Sequence, residues 1–128
     1  MIKLNGVEIK LNKYPDGTFL FKNIPPIGGW YKSTIEWFFE SMEELAAVVY
    51  IARYCKDYGT NPNLYMPYVP DARMDRVKQN SELFTLKYFA QTINSLHFKN
   101  VMILDPHSDV SAALFNNVLI KSPNRMIE

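Results

Sequence analysis

Leu64-Tyr65-Met66-Pro67-Tyr68-Val69-Pro70-Asp71-Ala72-Arg73-Met74-Asp75-Arg76 is the stretch whose reading decides the architecture of this chain. Leu64 to Tyr68 reads as a buried strand, which opens at Val69 into a polar loop dense in alternating charge. The same texture returns further on. Val101-Met102-Ile103-Leu104 is a compact apolar strand, closed by Asp105-Pro106-His107-Ser108-Asp109. Between the two, Ser81 is placed to cap a helix reaching about Leu96, and a short helix is expected from Val110 to Phe115. Strand, loop, helix, strand, loop, helix predicts right-handed crossovers and a parallel sheet covered by helices. Ligands of such sheets gather beyond the carboxyl ends of the strands, and both polar loops leave that edge.

Working back from this unit, Thr34-Ile35-Glu36-Trp37-Phe38-Phe39 is β-branched and aromatic, and reads as a strand buried on both faces. Ser41-Met42-Glu43-Glu44 fits a capping box, from which a helix should run to about Tyr58 and end at Gly59. Ile2 to Ile9 alternates around Asn5-Gly6, a pair that tolerates the positive φ angles of a two-residue hairpin turn. Tyr14-Pro15-Asp16-Gly17 is a second turn, followed by a short strand over Thr18-Phe19-Leu20-Phe21. Pro25, Pro26, Gly28 and Gly29 form a breaker cluster that marks a loop.

With 128 residues, 48% of them hydrophobic, the chain suits a single compact domain. Fourteen Lys and Arg against thirteen Asp and Glu give a net charge of +1, so no broad field draws it to nucleic acid or to an acidic membrane. Cys55, the single cysteine, has no internal disulfide partner, which fits a reducing compartment. Met1-Ile2-Lys3-Leu4 lacks the apolar core of a secretion signal, and no apolar run suits a bilayer span. A cytoplasmic location is expected. A Gly-rich P-loop, a Gly-x-Ser-x-Gly elbow and a CxxC pair are all missing, which excludes those classes of chemistry.

The two loops hold the chemistry. Asp105, His107 and Asp109 alternate at a spacing of two, and carboxylates with a neutral imidazole suit a divalent cation. The residues equally suit an Asp capping the next helix beside a solvated His. Arg73 and Arg76 flank Asp75, with Lys78 just beyond, and arginine forks match phosphate oxygens. A solvated charge run with internal ion pairs is the other reading of that loop. His97, behind a helix end, and Cys55, in mid-helix, read as structural.

At these two loops the sequence resembles the amino-terminal half of ribose-phosphate pyrophosphokinase, also called phosphoribosyl-pyrophosphate synthetase. That family carries Pro-Tyr-Phe-Pro-Tyr-Ala-Arg-Gln-Asp-Arg at a strand end, against Pro67-Tyr68-Val69-Pro70-Asp71-Ala72-Arg73-Met74-Asp75-Arg76 here. After a helix and a strand it has Asp-Leu-His-Ala-Asp, against Asp105-Pro106-His107-Ser108-Asp109. The resemblance covers roughly residues 31 to 118.

It implies a three-layer α/β/α fold with a mostly parallel sheet, similar to one phosphoribosyltransferase-like half, with the N-terminal β-hairpin added. It implies transfer of the diphosphoryl group of Mg-ATP to the 1-hydroxyl of ribose 5-phosphate, in a homo-oligomer. It implies ATP contacts at Arg73, Met74 and Asp75, Mg²⁺ contacts at His107, and acidic support from Asp105 and Asp109. The family's Phe-Ser-Asp-Gly-Glu-like turn reaches ATP in a neighbouring subunit and appears here as Tyr14-Pro15-Asp16-Gly17-Thr18, which implies the same for Asp16 and Thr18.

Two of the departures from the family fall on the expected ATP contacts. Met74 stands where Gln is usual, and Thr18 where Glu is usual. The family's carboxyl half supplies the catalytic-loop lysine, a second metal-binding Asp and the ribose 5-phosphate loop, none of which is in these residues. The 128 residues are therefore expected to be one domain, the ATP-side half, unable to turn over alone. The alternative is a non-catalytic homologue that associates with or regulates a synthetase.

Overall fold

The structure, a computed structural model, describes residues 1–27, 33–70, 85–104 and 113–121. Strands β1 (Ile2–Leu4) and β2 (Val7–Ile9) form the expected N-terminal hairpin. Both turn residues, Asn5 and Gly6, take positive φ, at 51° and 82°. β3 (Asn12–Lys13) and β4 (Phe19–Leu20) form a second, separate hairpin around the Tyr14–Thr18 turn. Then follow β5 (Thr34–Trp37), α1 (Glu43–Asp57), β6 (Asn63–Met66), α2 (Thr85–Ser95), β7 (Val101–Leu104) and β8 (Val118–Lys121).

β2, β1, β5, β6, β7 and β8 lie side by side in that order in one sheet. β5 to β8 are parallel, and the N-terminal hairpin joins antiparallel through β1. The α/β class, the mostly parallel sheet and the N-terminal hairpin all match the expectation; of the three layers expected, the described residues show the sheet and one helical layer, since α1 and α2 share one face.

The pairing register sorts the side chains into rows. Leu4, Ile35, Leu64, Val101 and Val118 are aligned across five strands, and all but the half-buried Val118 are buried. The adjacent row on the other face reads Lys3, Glu36, Tyr65, Met102 and Leu119 and is half-buried, with Leu119 exposed. The strand at residues 34–37 is therefore not buried on both faces. Its period-two alternation was obscured in sequence by the aromatic run at its end, where Phe38 and Phe39 already lie beyond the strand. Likewise the strand expected over 64–68 stops at Met66, and Tyr68 is exposed.

Both helices pack on the face that carries Trp37. Its indole Nε1 donates to Glu44 of α1, and its ring lies 6.0 Å from that of Phe89 in α2. Ala47, Val48, Ile51, Ala52 and Cys55 of α1 and Leu86, Phe89, Ala90 and Ile93 of α2 complete the core. That spacing is the buried stripe of an amphipathic helix.

α1 starts later than the capping box suggested. Met42 is the N-cap and makes no side-chain cap hydrogen bond. Half of the box forms nonetheless, because Glu44 Oε1 accepts from the backbone N–H of Ser41 at 3.1 Å and of Glu40 at 2.7 Å. The C-terminus ends as read, at Gly59 with φ +78°. Thr60 N–H donates to the Cys55 carbonyl and Gly59 N–H to that of Lys56, which is the Schellman pattern. A Cβ on Gly59 would meet no atom within 4 Å, so a substitution is penalised by conformation alone. Gly59→Ala is expected to lower stability by about 1–2 kcal/mol in urea unfolding, the usual difference between left-handed alanine and glycine.

α2 ends at Ser95, and His97, at φ 51°, turns the chain behind it, in keeping with its structural reading. Ser81 and the first half of the helix expected over 110–115, residues 110–112, lie outside the described residues; Ala113 and Leu114 are helical. β8 was not foreseen in the sequence.

Candidate functional site

β6 and β7 are neighbours and parallel, with Leu64 beside Val101, Tyr65 beside Met102 and Met66 beside Ile103. The chain thus leaves the sheet after Met66 and after Leu104 at the same edge, one strand spacing apart. This is the carboxyl edge, where ligands of open parallel sheets bind. The segments that follow carry Arg73, Met74 and Asp75 on one side and Asp105, His107 and Asp109 on the other. Those six residues lie outside the described residues, so the structure places their points of departure.

Two described aromatic side chains stand at the same edge. Phe39, just beyond β5, and Tyr68, just beyond β6, have ring centroids 5.5 Å apart, and Trp37 lies behind Phe39 at 5.8 Å. Tyr68 is 51% exposed, so a ring held by a second ring faces outward beside the first loop. In sequence Tyr68 falls at the end of the expected strand, where nothing gives it a role. Its signal was position, directly after the last buried residue of the strand.

The amino end of α1 adjoins the same edge. Helix N-termini attract anions, but this one is already served by a carboxylate. Glu44 is buried and accepts hydrogen bonds from Glu40 N–H, Ser41 N–H, Trp37 Nε1 and the Met1 ammonium. Burial pushes its carboxyl upward, but these donors outweigh it and hold the group below the usual value. Glu40, Glu43 and Glu44 outnumber the Met1 ammonium and Lys13 that pair with them, so the end of α1 carries a small net negative charge. A phosphate ligand at this edge therefore needs its cations from the loops.

Asp16 and Thr18 are brought together by the second hairpin. Asp16 Oδ1 accepts from the Thr18 N–H at 3.0 Å and from its hydroxyl at 2.7 Å, an Asx turn closed by the side chain. The same bonds hold the Asp16 carboxyl below its ordinary range. The hairpin is tied to α1 by an ion pair between Lys13 and Glu43 and by the rings of Phe21 and Tyr50, 6.2 Å apart. Thr18 borders a groove of about 480 Å³ that Phe19, Phe21, Ile24, Tyr50 and Tyr54 line.

The far end of the second loop is also held. The Asn94 side chain on α2 donates to the Leu114 carbonyl at 2.8 Å and accepts from the Asn116 N–H at 2.8 Å. One amide thereby pins the turn that leads into β8. Among the described residues no group of three His, Cys, Asp or Glu is close enough to hold a metal.

Comparison with known proteins gives a fold without a family. No protein-family model matches the chain. No curated protein matches it by sequence either. Among solved structures, it is similar to the crystal structure of phosphoribosylpyrophosphate synthetase from Mycobacterium smegmatis, with a TM-score of 0.79 and 13% sequence identity. The similarity covers 94% of this chain and 41% of that one, so the chain spans less than half of its structural neighbour. The fold is thus that of a phosphoribosylpyrophosphate synthetase-like α/β domain. No helix among the described residues is long and apolar enough to cross a membrane.

Proposed function

We propose that this chain is the amino-terminal, ATP-side domain of a ribose-phosphate diphosphokinase, which converts ATP and ribose 5-phosphate to phosphoribosyl pyrophosphate and AMP. The observation that carries the reading is the adjacency of β6 and β7, which sends both motif loops out from one edge of a synthetase-like sheet. In this reading Arg73 and Arg76 grip phosphate oxygens with their guanidinium forks. Asp75 orients them, and Met74 lies against the base. Tyr68, braced by Phe39, offers an exposed ring face to the same base. Asp105, His107 and Asp109 are the donor set for Mg²⁺, two carboxylates and an imidazole of the hardness that cation takes with phosphate. Bound there, the cation neutralises charge on the polyphosphate. The acidic end of α1 supports this division of labour, because it leaves the loops as the source of positive charge. Alone, the domain binds ATP and does not turn over.

A second reading, a non-catalytic homologue that associates with a synthetase, is favoured by one observation. Both hydrogen-bond donors of Thr18 are spent on Asp16, in a turn that the first reading assigns to a neighbour's ATP. Thermal unfolding with and without Mg-ATP separates the two. At one hundred times its dissociation constant a ligand adds about 2.7 kcal/mol to native stability. The first reading expects a clear upward shift in the wild type, lost in Arg73→Ala and in His107→Ala. A folded chain that shows no shift at millimolar Mg-ATP excludes ATP binding by this domain alone, and leaves either a site completed by a neighbour or the carboxyl half or the second reading.

A further inference from the structure

The two ends of the sheet are treated differently. At one end, β2 is three residues long, carries Glu8 at its centre and runs directly into Lys10. Short charged strands of that kind discourage further pairing. At the other end, among the described residues, β8 closes the sheet with Val118-Leu119-Ile120 and no charge before Lys121. Leu119 and Ile120 point to opposite faces and are 47% and 46% exposed.

The backbone of β8 has a defined polarity. Val101 N–H donates to the Asn117 carbonyl, and Val101 pairs with Val118. In a parallel ladder this turns the N–H and C=O groups of 117, 119 and 121 toward β7 and those of Val118 and Ile120 away from it. The outward edge therefore presents two donors and two acceptors, flanked by apolar side chains. An added extended strand matches that pattern.

We propose that β8 is a self-pairing edge, on which a second copy of this chain adds its own β8 antiparallel about a two-fold axis. The axis stands perpendicular to the sheet, so the faces match and only registers with an even residue sum are allowed. Pairing Leu119 with Leu119 of the second copy sets Val118 opposite Ile120. Those are the two positions with outward backbone groups, so each Val118–Ile120 pair exchanges two hydrogen bonds, four in the seam. The leucines meet at the axis as the closer, non-hydrogen-bonded pair. The two Lys121 positions fall at opposite ends of the seam, each in register with Asn117, and no like charges oppose. The result is a continuous sheet with the helices of both copies on one side, an isologous contact. It does not rest on the ATP-site reading.

Sedimentation velocity of the wild-type chain between micromolar and several hundred micromolar tests it, alongside three variants. The wild type is expected to shift with concentration toward twice the chain mass. Ile120→Pro removes an outward donor and leaves the β7 ladder intact, so it should weaken association at least tenfold with an unchanged circular dichroism spectrum. Leu119→Lys and Leu119→Glu should each be monomeric, and mixing them should restore a dimer, because 119 faces 119 only in this register. A wild type that stays monomeric throughout overturns the proposal. So does a dimer that Ile120→Pro leaves intact, or one that the mixed charges fail to rescue.

Discussion

Trp37→Ala is expected to lower the unfolding free energy by about 3–5 kcal/mol, the usual range for truncating a buried aromatic. Trp37 is completely buried on β5 and touches both helices, giving a hydrogen bond to Glu44 of α1 at 3.2 Å and a ring contact to Phe89 of α2. Removing the indole opens a cavity where the sheet and both helices meet. It also deprives a buried carboxylate of one of its donors. Native domains are stable by roughly 5–15 kcal/mol, so the loss is a large fraction of the total. Trp37→Phe keeps much of the volume and loses the N–H, and should fall well short of the alanine effect. Urea unfolding followed by circular dichroism reads both. An alanine effect below about 1 kcal/mol, the ordinary size of a point-mutant effect, would show that the helices do not depend on this residue for their seat.

Glu44→Ala is expected to lower stability by about 2–4 kcal/mol, since it leaves buried donors unpaired beside a partly exposed ammonium. Glu40 N–H, Ser41 N–H, Trp37 Nε1 and the Met1 ammonium all lose their acceptor at once. The sign of the pH dependence follows from the lowered folded-state value. The unfolded chain, with its carboxyl near 4.5, binds a proton before the native one does. Stability supplied by Glu44 is thus fully present above that pH and drains away as the pH falls toward the folded value. Glu44→Gln removes this dependence. Unfolding midpoints measured from pH 6 down to pH 3 should fall more steeply for the wild type than for Glu44→Gln. Parallel curves would mean that the carboxylate is not preferentially ionised in the fold.

Local chemistry was readable in the sequence, and pairing over distance was not. Asn5-Gly6 announced its turn because few residues accept positive φ, and Gly59 announced the end of α1 for the same reason. Asp16 and Thr18 are two residues apart and close their turn by themselves. By contrast, nothing local in Ile2-Lys3-Leu4 says that β1 sits between β2 and β5. That placement needs Ile2 to meet Trp37 across the sheet. β8 was missed because three apolar residues carry too little pattern; the left-handed Asn117 before them was its only marker. At the candidate site, the crossover rule was enough to bring two loops to one edge. The bracing of Tyr68 by Phe39 joins residues 29 apart and had no signature in either segment.

The Asn94 amide has a consequence for whatever binds at the carboxyl edge. One end of the second candidate loop is anchored at Leu104 in β7, and Asn94 fastens the chain at Leu114 and Asn116 beyond the other end. A segment with both ends fixed has given up part of its conformational entropy during folding. If the proposed site holds a ligand, a connection closed at both ends leaves less freedom for that ligand to remove, so more of its contact energy survives as affinity. In the proposed reading, a side chain on α2 that touches no ligand would thus help to set how tightly one is held.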